Sequence, residues 1–121
     1  MSALAAEVIS DLLSRGHGVR FRAAGDSMHP IIRSEDELLV VPMMSIRRGD
    51  VVLTLVDRRL LAHRVVGISD DTLVTRGDNA RENDVPVTRE RVLGRVTHAG
   101  TRRIRRATAL LLLIQRLIAR L

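Results

Sequence analysis

The sequence predicts a mainly β fold, α+β overall: a curled antiparallel β-domain carrying an N-terminal and a C-terminal helix. Three observations point there. Apolar residues stand at helical spacing up to Leu13 and give way, from Val19 onward, to short β-branched or Leu-rich runs. Those runs are separated at close intervals by Gly, Asp, Asn and Arg clusters that favour turns. The last 21 residues return to a Leu-rich helical pattern.

The opening segment, SALAAEVISDLLSRG, sets Leu4, Ala5, Val8, Ile9, Leu12 and Leu13 at helical spacing. Ser2 is placed to cap its start and Gly16 its end, so an amphipathic helix of about residues 2–15 is expected to pack on the remainder. From Val19, VRFRA alternates, and ELLVVP, DVVLTLV, LLAHRVVGI, DTLVTRG and RVLGRVTHAG read as strands. RRGD, VDRR, SDD and GDNAREND supply the turns between them. Short strands at this spacing favour an antiparallel, partly curled β-domain, and residues 1–100 read as a single unit.

The final segment, TRRIRRATALLLLIQRLIARL, predicts a basic amphipathic helix within 101–121, starting near Thr101 or Ala107. Arg102, Arg105, Arg106, Arg116 and Arg120 share one side of a helical wheel; Leu110, Ile114, Leu117, Ile118 and Leu121 share the other. Residues 107–121 would reach roughly 22 Å, short of a ~30 Å hydrocarbon core. Two readings stand: a helix lying in a membrane interface through Arg102–Leu121, or one that covers the β-domain or pairs with a partner such as a second copy.

Composition excludes several function classes. A chain of 121 residues is most simply one domain with a modest core. Phe21 is its sole aromatic residue, which argues against stacking of single-stranded nucleic acid. Without cysteine there is no disulfide, no thiolate nucleophile and no Cys-based zinc site, as suits a reducing compartment. Without lysine there is no Lys base and no Schiff base. Residues 1–100 carry 14 arginines against 14 acids, so the whole net charge of +6 comes from six arginines in the last 21 residues. The basic character belongs to a tail, and no nucleic-acid partner is expected. Glu7 and Asp11 interrupt the first helix as a signal peptide, and no apolar run is long enough to span a bilayer. The expected location is cytoplasmic or peripheral to a membrane. The four histidines form no clustered pair, so neither a metal nor a cofactor is expected.

The stretch AGDSMHPI raises a chemical question at Ser27. A serine hydroxyl is a poor nucleophile until a neighbouring base removes its proton, and that base needs an orienting partner. In a chain without lysine, histidine is the natural base, since its unperturbed pKa of about 6.5 suits proton transfer near neutrality. His63 sits within an apolar strand, the most rigid setting of the four. His29 lies two residues from Ser27, His17 follows the first helix, and His98 ends a strand. Taken alone, each feature has a plainer reading. GDN is ideal turn chemistry, Asp84 before Val85-Pro86 suits a turn or cap, and His63 suits a core histidine bonded to a carbonyl.

Taken in order, GDSMHPII, RRGDVVL, AHRVVGI, TRGDNARENDVPV and VLGRV resemble the type I signal peptidase branch of the superfamily that also contains LexA-type self-cleaving repressors. The likeness covers roughly Phe21 to Val96. It implies Ser27 as nucleophile, in an S-M-x-P position, and His63 as base, where many bacterial members carry lysine and the archaeal and endoplasmic-reticulum-type enzymes carry histidine. It sets Asp78 at the family's GDN acid and Asp84 at a second acid six residues on, the one that completes a Ser-His-Asp arrangement in His-type members; Asp84 is thus the first candidate to orient His63 and Asp78 the alternative. Asp50 falls on a position that reads as structural. Met28, His29 and Pro30 fall beside the nucleophile as substrate-contacting positions, and the Ser27 main-chain N–H is the expected oxyanion donor. A serine hydroxyl that some members place two residues before the nucleophile is replaced here by Gly25. The usual Gly-Asp after S-M-x-P is replaced by SED, with Asp36 in the acid's place, and no N-terminal membrane anchor is seen.

The resemblance implies a serine endopeptidase that cleaves a signal or leader-type peptide, its substrate extended and bearing small side chains near the cut. The rival of a different class is a catalytically inactive peptide-binding or dimerisation module of the same fold. A LexA-like regulator lacks support, because residues 1–18 are too few for a helix-turn-helix.

Overall fold

A computed structural model of the chain describes residues 3–43 and 45–106. Helix α1 spans Ala3–Ser14. It ends where Gly16 adopts φ +88°, the left-handed conformation that glycine takes without steric cost. Gly16 N–H donates to Leu13 O and His17 N–H to Leu12 O, both at 3.0 Å, closing a Schellman motif. The helix buries Ala6, Ile9 and Leu13 only. Leu4, Val8 and Leu12, four residues apart, form a second apolar stripe on the outer face, with Leu4 70% exposed.

Eight strands follow: β1 Val19–Arg22, β2 Glu37–Val41, β3 Val51–Val56, β4 Arg59–Ser69, β5 Thr72–Arg76, β6 Val87–Thr88, β7 Val92–Ala99 and β8 Arg102–Arg103. They form one antiparallel sheet in the order β1-β2-β7-β3-β4-β5-β6, with β8 added to β7. The β3–β4 hairpin turns on Asp57 and Arg58, both at positive φ (50° and 64°), the handedness that matches the twist of paired strands. Irregularities between Leu39 and Val40, Leu53 and Thr54, and Val65 and Gly67 shift the register and curl the sheet into a half-barrel. Gly94 permits the close approach of β7 to β2, since a Cβ there would lie 2.5 Å from Val41 O.

The curl gives the sheet an enclosed face. Ile9 and Leu13 of α1, Met28 and Ile32 of the loop after β1, and Leu38, Val40, Val51, Leu53 and Val96 of the strands pack together as the main core. A smaller cluster joins Val52, Val65 and Leu73. Full burial of each such Val or Leu contributes roughly 1.5–3 kcal/mol.

β4 is the long strand that positions the site. Its first half, Arg59 to Arg64, pairs with β3, and its second half, from Arg64 onward, pairs with β5. Along Arg59–His63 the other edge of β4 has no strand partner among the described residues, and β1 is paired on one side only, by β2.

The C-terminal expectation needs correcting at its start. Arg102 and Arg103 are not helical: they pair with Ala99 and His98 as β8, and Ile104 N–H donates to Thr97 O at 2.7 Å. The segment continues the β7 ladder because Arg102 closes an ion pair on Asp36, and Arg106 Nε one on Asp50 Oδ1. Asp36 also accepts the Arg33 N–H at 2.8 Å. That main-chain donor, and after it the Arg102 guanidinium, hold the Asp36 carboxyl below the usual carboxylate range against the opposing effect of burial. The helix expected over 107–121 lies outside the described residues. Among the described residues no helix is long and apolar enough to cross a membrane.

Candidate active site

Ser27 sits in the loop between β1 and β2, which is held from both sides. Beneath it Met28 is buried in the main core, at 3% exposure. On the other side the turn after β5 grips the loop main chain: Asn79 N–H donates to Ser27 O at 2.9 Å and Asn79 Nδ2 to Asp26 O at 3.1 Å. Asp78 N–H points at Met28 Sδ, 3.3 Å away. Gly77 makes this contact possible, because a Cβ there would fall 2.5 Å from Ser27 O and 3.2 Å from His63 Nε2. The serine is thus clamped by its backbone while its side chain stays exposed.

His63 comes from β4, opposite Val52 of β3, and is 6% exposed. Its Nε2 lies 3.0 Å from Ser27 Oγ and its Nδ1 lies 2.6 Å from Asp84 Oδ2. A carboxylate accepts only, so Asp84 selects the tautomer with hydrogen on Nδ1. Nε2 is then the acceptor for the Ser27 hydroxyl hydrogen, the arrangement that proton abstraction from serine requires. Asp84 is itself fixed by Thr75 of β5: Asp84 N–H donates to Thr75 O at 2.8 Å, and Thr75 Oγ1 donates to Asp84 Oδ2 at 2.7 Å. The Asp84 carboxylate therefore accepts from two donors, His63 Nδ1 and Thr75 Oγ1.

Of the two candidate acids, the structure brings Asp84 to His63 and takes Asp78 elsewhere. Asp78 meets Arg64 with both oxygens, Nε to Oδ1 and Nη2 to Oδ2, each at 2.8 Å. Both side chains are buried. Arg64 Nη1 donates further to Gly49 O at 2.8 Å. A buried guanidinium next to His63 in the strand needs such a partner, and Asp78 supplies it. Asp50 is buried too, accepting Arg47 N–H and Arg106 Nε, each at 2.8 Å. His29 and Pro30 are exposed beside the serine, while His17 and His98 lie away from it. The Ser27 main-chain N–H donates to no main-chain acceptor among the described residues.

Thr75, Arg64 and Gly77 escaped sequence reasoning. Arg64 carried a usable signal, being a charge inside an apolar strand run, which requires a buried partner. Thr75 carried none, since a threonine in a strand is unremarkable.

A cleft of about 560 Å³ opens from Ser27 between the two unpaired edges. Phe21 and Ala23 line it from the β1 side, Leu60 and Ala62 from β4, and Leu38 and Leu53 form its floor. A family model described as Peptidase S24-like matches residues 5–97. The chain belongs to the Peptidase S24-like family. A search of curated proteins returns no match. The matched span of this Peptidase S24-like chain holds Ser27, His63, Thr75 and Asp84, together with the Arg64–Asp78 pair. At the level of the superfamily this is a serine-type peptidase fold of the LexA and signal peptidase kind, as the ordered motifs implied.

Proposed function

We propose that the chain is a serine endopeptidase in which Ser27 is the nucleophile, His63 the general base and Asp84 the residue that orients it. One observation carries the reading: Ser27 Oγ, His63 Nε2, His63 Nδ1 and Asp84 Oδ2 form a continuous hydrogen-bonded line of 3.0 Å and 2.6 Å steps. In the first half-reaction Ser27 Oγ attacks the scissile carbonyl carbon as its proton passes to His63 Nε2. The imidazolium is stabilised by Asp84 and returns that proton to the leaving amine, whose C–N bond breaks to leave an acyl ester on Ser27. A water then attacks the ester carbonyl, again giving its proton to His63, and the ester bond breaks as that proton returns to Ser27 Oγ. Developing charge on the carbonyl oxygen falls to the Ser27 N–H.

The substrate is an extended peptide of signal or leader type, laid as an added strand along the open edge of β4 at Arg59–His63. Small side chains near the cut are what the family resemblance implies, and Ala23 and Ala62 are among the residues that line the cleft. Within the superfamily the histidine base aligns the chain with the His-type, archaeal and endoplasmic-reticulum-like signal peptidases.

The test is cleavage of a panel of unstructured peptides varying in side-chain size around one bond, read by mass spectrometry for wild type and Ser27→Ala. Cleavage by the wild type alone is the expected result. Equal cleavage by both proteins overturns the serine mechanism; cleavage by neither, with peptide bound, assigns the cleft to an inactive peptide-binding module.

A further inference from the structure

A second cavity, of about 680 Å³, lies apart from Ser27 and is lined by Arg95, Thr97 and His98 of β7, by Arg103 of β8 and by residues 104–106 that follow it. Four of its seven lining residues are arginines and none is an acid, so its charge is uncompensated from within. Arg106 Nε is taken by Asp50. Among the described residues no carboxylate pairs with Arg95, Arg103 or Arg105. Guanidinium groups gathered at one cavity repel each other unless an anion sits among them.

A second observation is independent of the charge count. Arg95 Nε is buried and has no hydrogen-bond partner. Leaving a buried donor unsatisfied is costly, more so on a charged group, and native structures rarely do it without a ligand, ion or water to accept. The ladder of β7 against β2 and β3 holds the Arg95 backbone in place, so the unsatisfied donor is built into the sheet.

We propose that this cavity is a binding site for a phosphate oxyanion, with Arg95, Arg103 and Arg105 as its donors. Guanidinium forks match phosphate geometry through paired N–H bonds. Three guanidiniums also offer more N–H groups than the two oxygens of a lone carboxylate can satisfy, whereas a phosphate group presents at least one oxygen more. A soluble phosphoester and an anionic lipid headgroup share this chemistry. The Leu- and Arg-rich sequence that follows Arg106 makes the headgroup a source to be tested separately.

The experiment uses the full chain. Thermal unfolding and calorimetric titration with inorganic phosphate are compared with chloride at equal ionic strength. Phosphate is expected to bind saturably and raise Tm, as any ligand selective for the folded state does. Arg95→Gln and, separately, Arg105→Gln are each expected to weaken phosphate binding by roughly tenfold or more, since each removes charge-assisted hydrogen bonds. Arg105 is exposed, so its variant keeps the test informative if Arg95→Gln fails to fold. Co-sedimentation with phosphatidylcholine vesicles, with and without phosphatidylglycerol, separates the sources. Binding that needs phosphatidylglycerol, is competed by inorganic phosphate and is lost in Arg105→Gln assigns a headgroup; phosphate binding without such sedimentation assigns a soluble phosphoester. Phosphate that does no better than chloride, or binds both variants as tightly as wild type, overturns the proposal.

Discussion

Arg64 holds Asp78 by two parallel hydrogen bonds of 2.8 Å, and in doing so ties the strand that carries His63 to the turn that clamps Ser27. Ser27 and His63 are 36 residues apart in sequence and approach to 3.0 Å; Arg64 is the residue after His63, and Asp78 lies between Gly77 and Asn79 of that turn.

Breaking that pair is expected to cost stability first. Arg64→Ala leaves the Asp78 carboxylate buried without its cation, a loss of about 3–5 kcal/mol. Equilibrium urea unfolding of wild type, Arg64→Ala, Asp78→Ala and the double variant checks it. The double variant is expected to fall well short of the sum of the singles, because the second substitution removes a group already unpaired.

Gly77 makes a sharper prediction about positioning. Gly77→Ala would place a methyl 2.5 Å from Ser27 O, so the serine loop must shift. A displacement near one ångström is expected to lower kcat/KM roughly a hundredfold. Cleavage rate and Tm measured on the same preparation separate a shifted serine, with Tm nearly kept, from general unfolding.

Asp84→Asn tests how His63 is oriented. An amide at this position offers N–H as well as oxygen and no negative charge, so the tautomer with hydrogen on Nδ1 is no longer enforced. The expected loss is on the order of 10⁴ in kcat, with the fold retained. Asp78→Asn, whose carboxylate faces Arg64, is expected to act through stability and to leave the rate per folded molecule far closer to wild type.

Asp36 gives a pH dependence with a defined sign. Its carboxyl is held below the usual range by the Arg33 N–H and then Arg102, so its folded pKa lies under its unfolded one. The folded state then binds fewer protons than the unfolded state. The stabilisation is complete above the unfolded pKa and is lost as pH falls through the folded value. Asp36→Asn is expected to unfold at lower urea than wild type at neutral pH. The gap should close on acidification through the carboxylate range, as followed by urea titrations at a series of pH values.

Much of this was legible in the sequence. The runs from Val19 to Ala99 become strands almost at their expected limits, because β-branched residues between turn clusters have few other ways to bury themselves. The ordered motifs led to Ser27 and His63 and put Asp84 ahead of Asp78 as the orienting acid without deciding between them, since spacing says nothing about which acid a curled sheet turns inward. Arg64 settles that: a bidentate cation takes one acid and leaves the imidazole to the other. The outer stripe of α1 was not legible either, because helical periodicity groups Leu4, Val8 and Leu12 without saying which apolar side meets the sheet. At Arg102 the local helical pattern loses to ladder pairing and the ion pair with Asp36, a tertiary effect that a helical wheel does not contain.

In the proposed mechanism Ser27 and His63 act as one unit on a peptide bond. Its most direct test is the cleavage rate of one cut peptide by wild type, Ser27→Ala, His63→Ala and the double variant. Groups that act together are strongly non-additive, so either single variant is expected to fall by several orders of magnitude and the double to fall no further. Wild-type cleavage by Ser27→Ala, or a double variant whose loss is the product of two independent single losses, would rule out a joint serine–histidine mechanism.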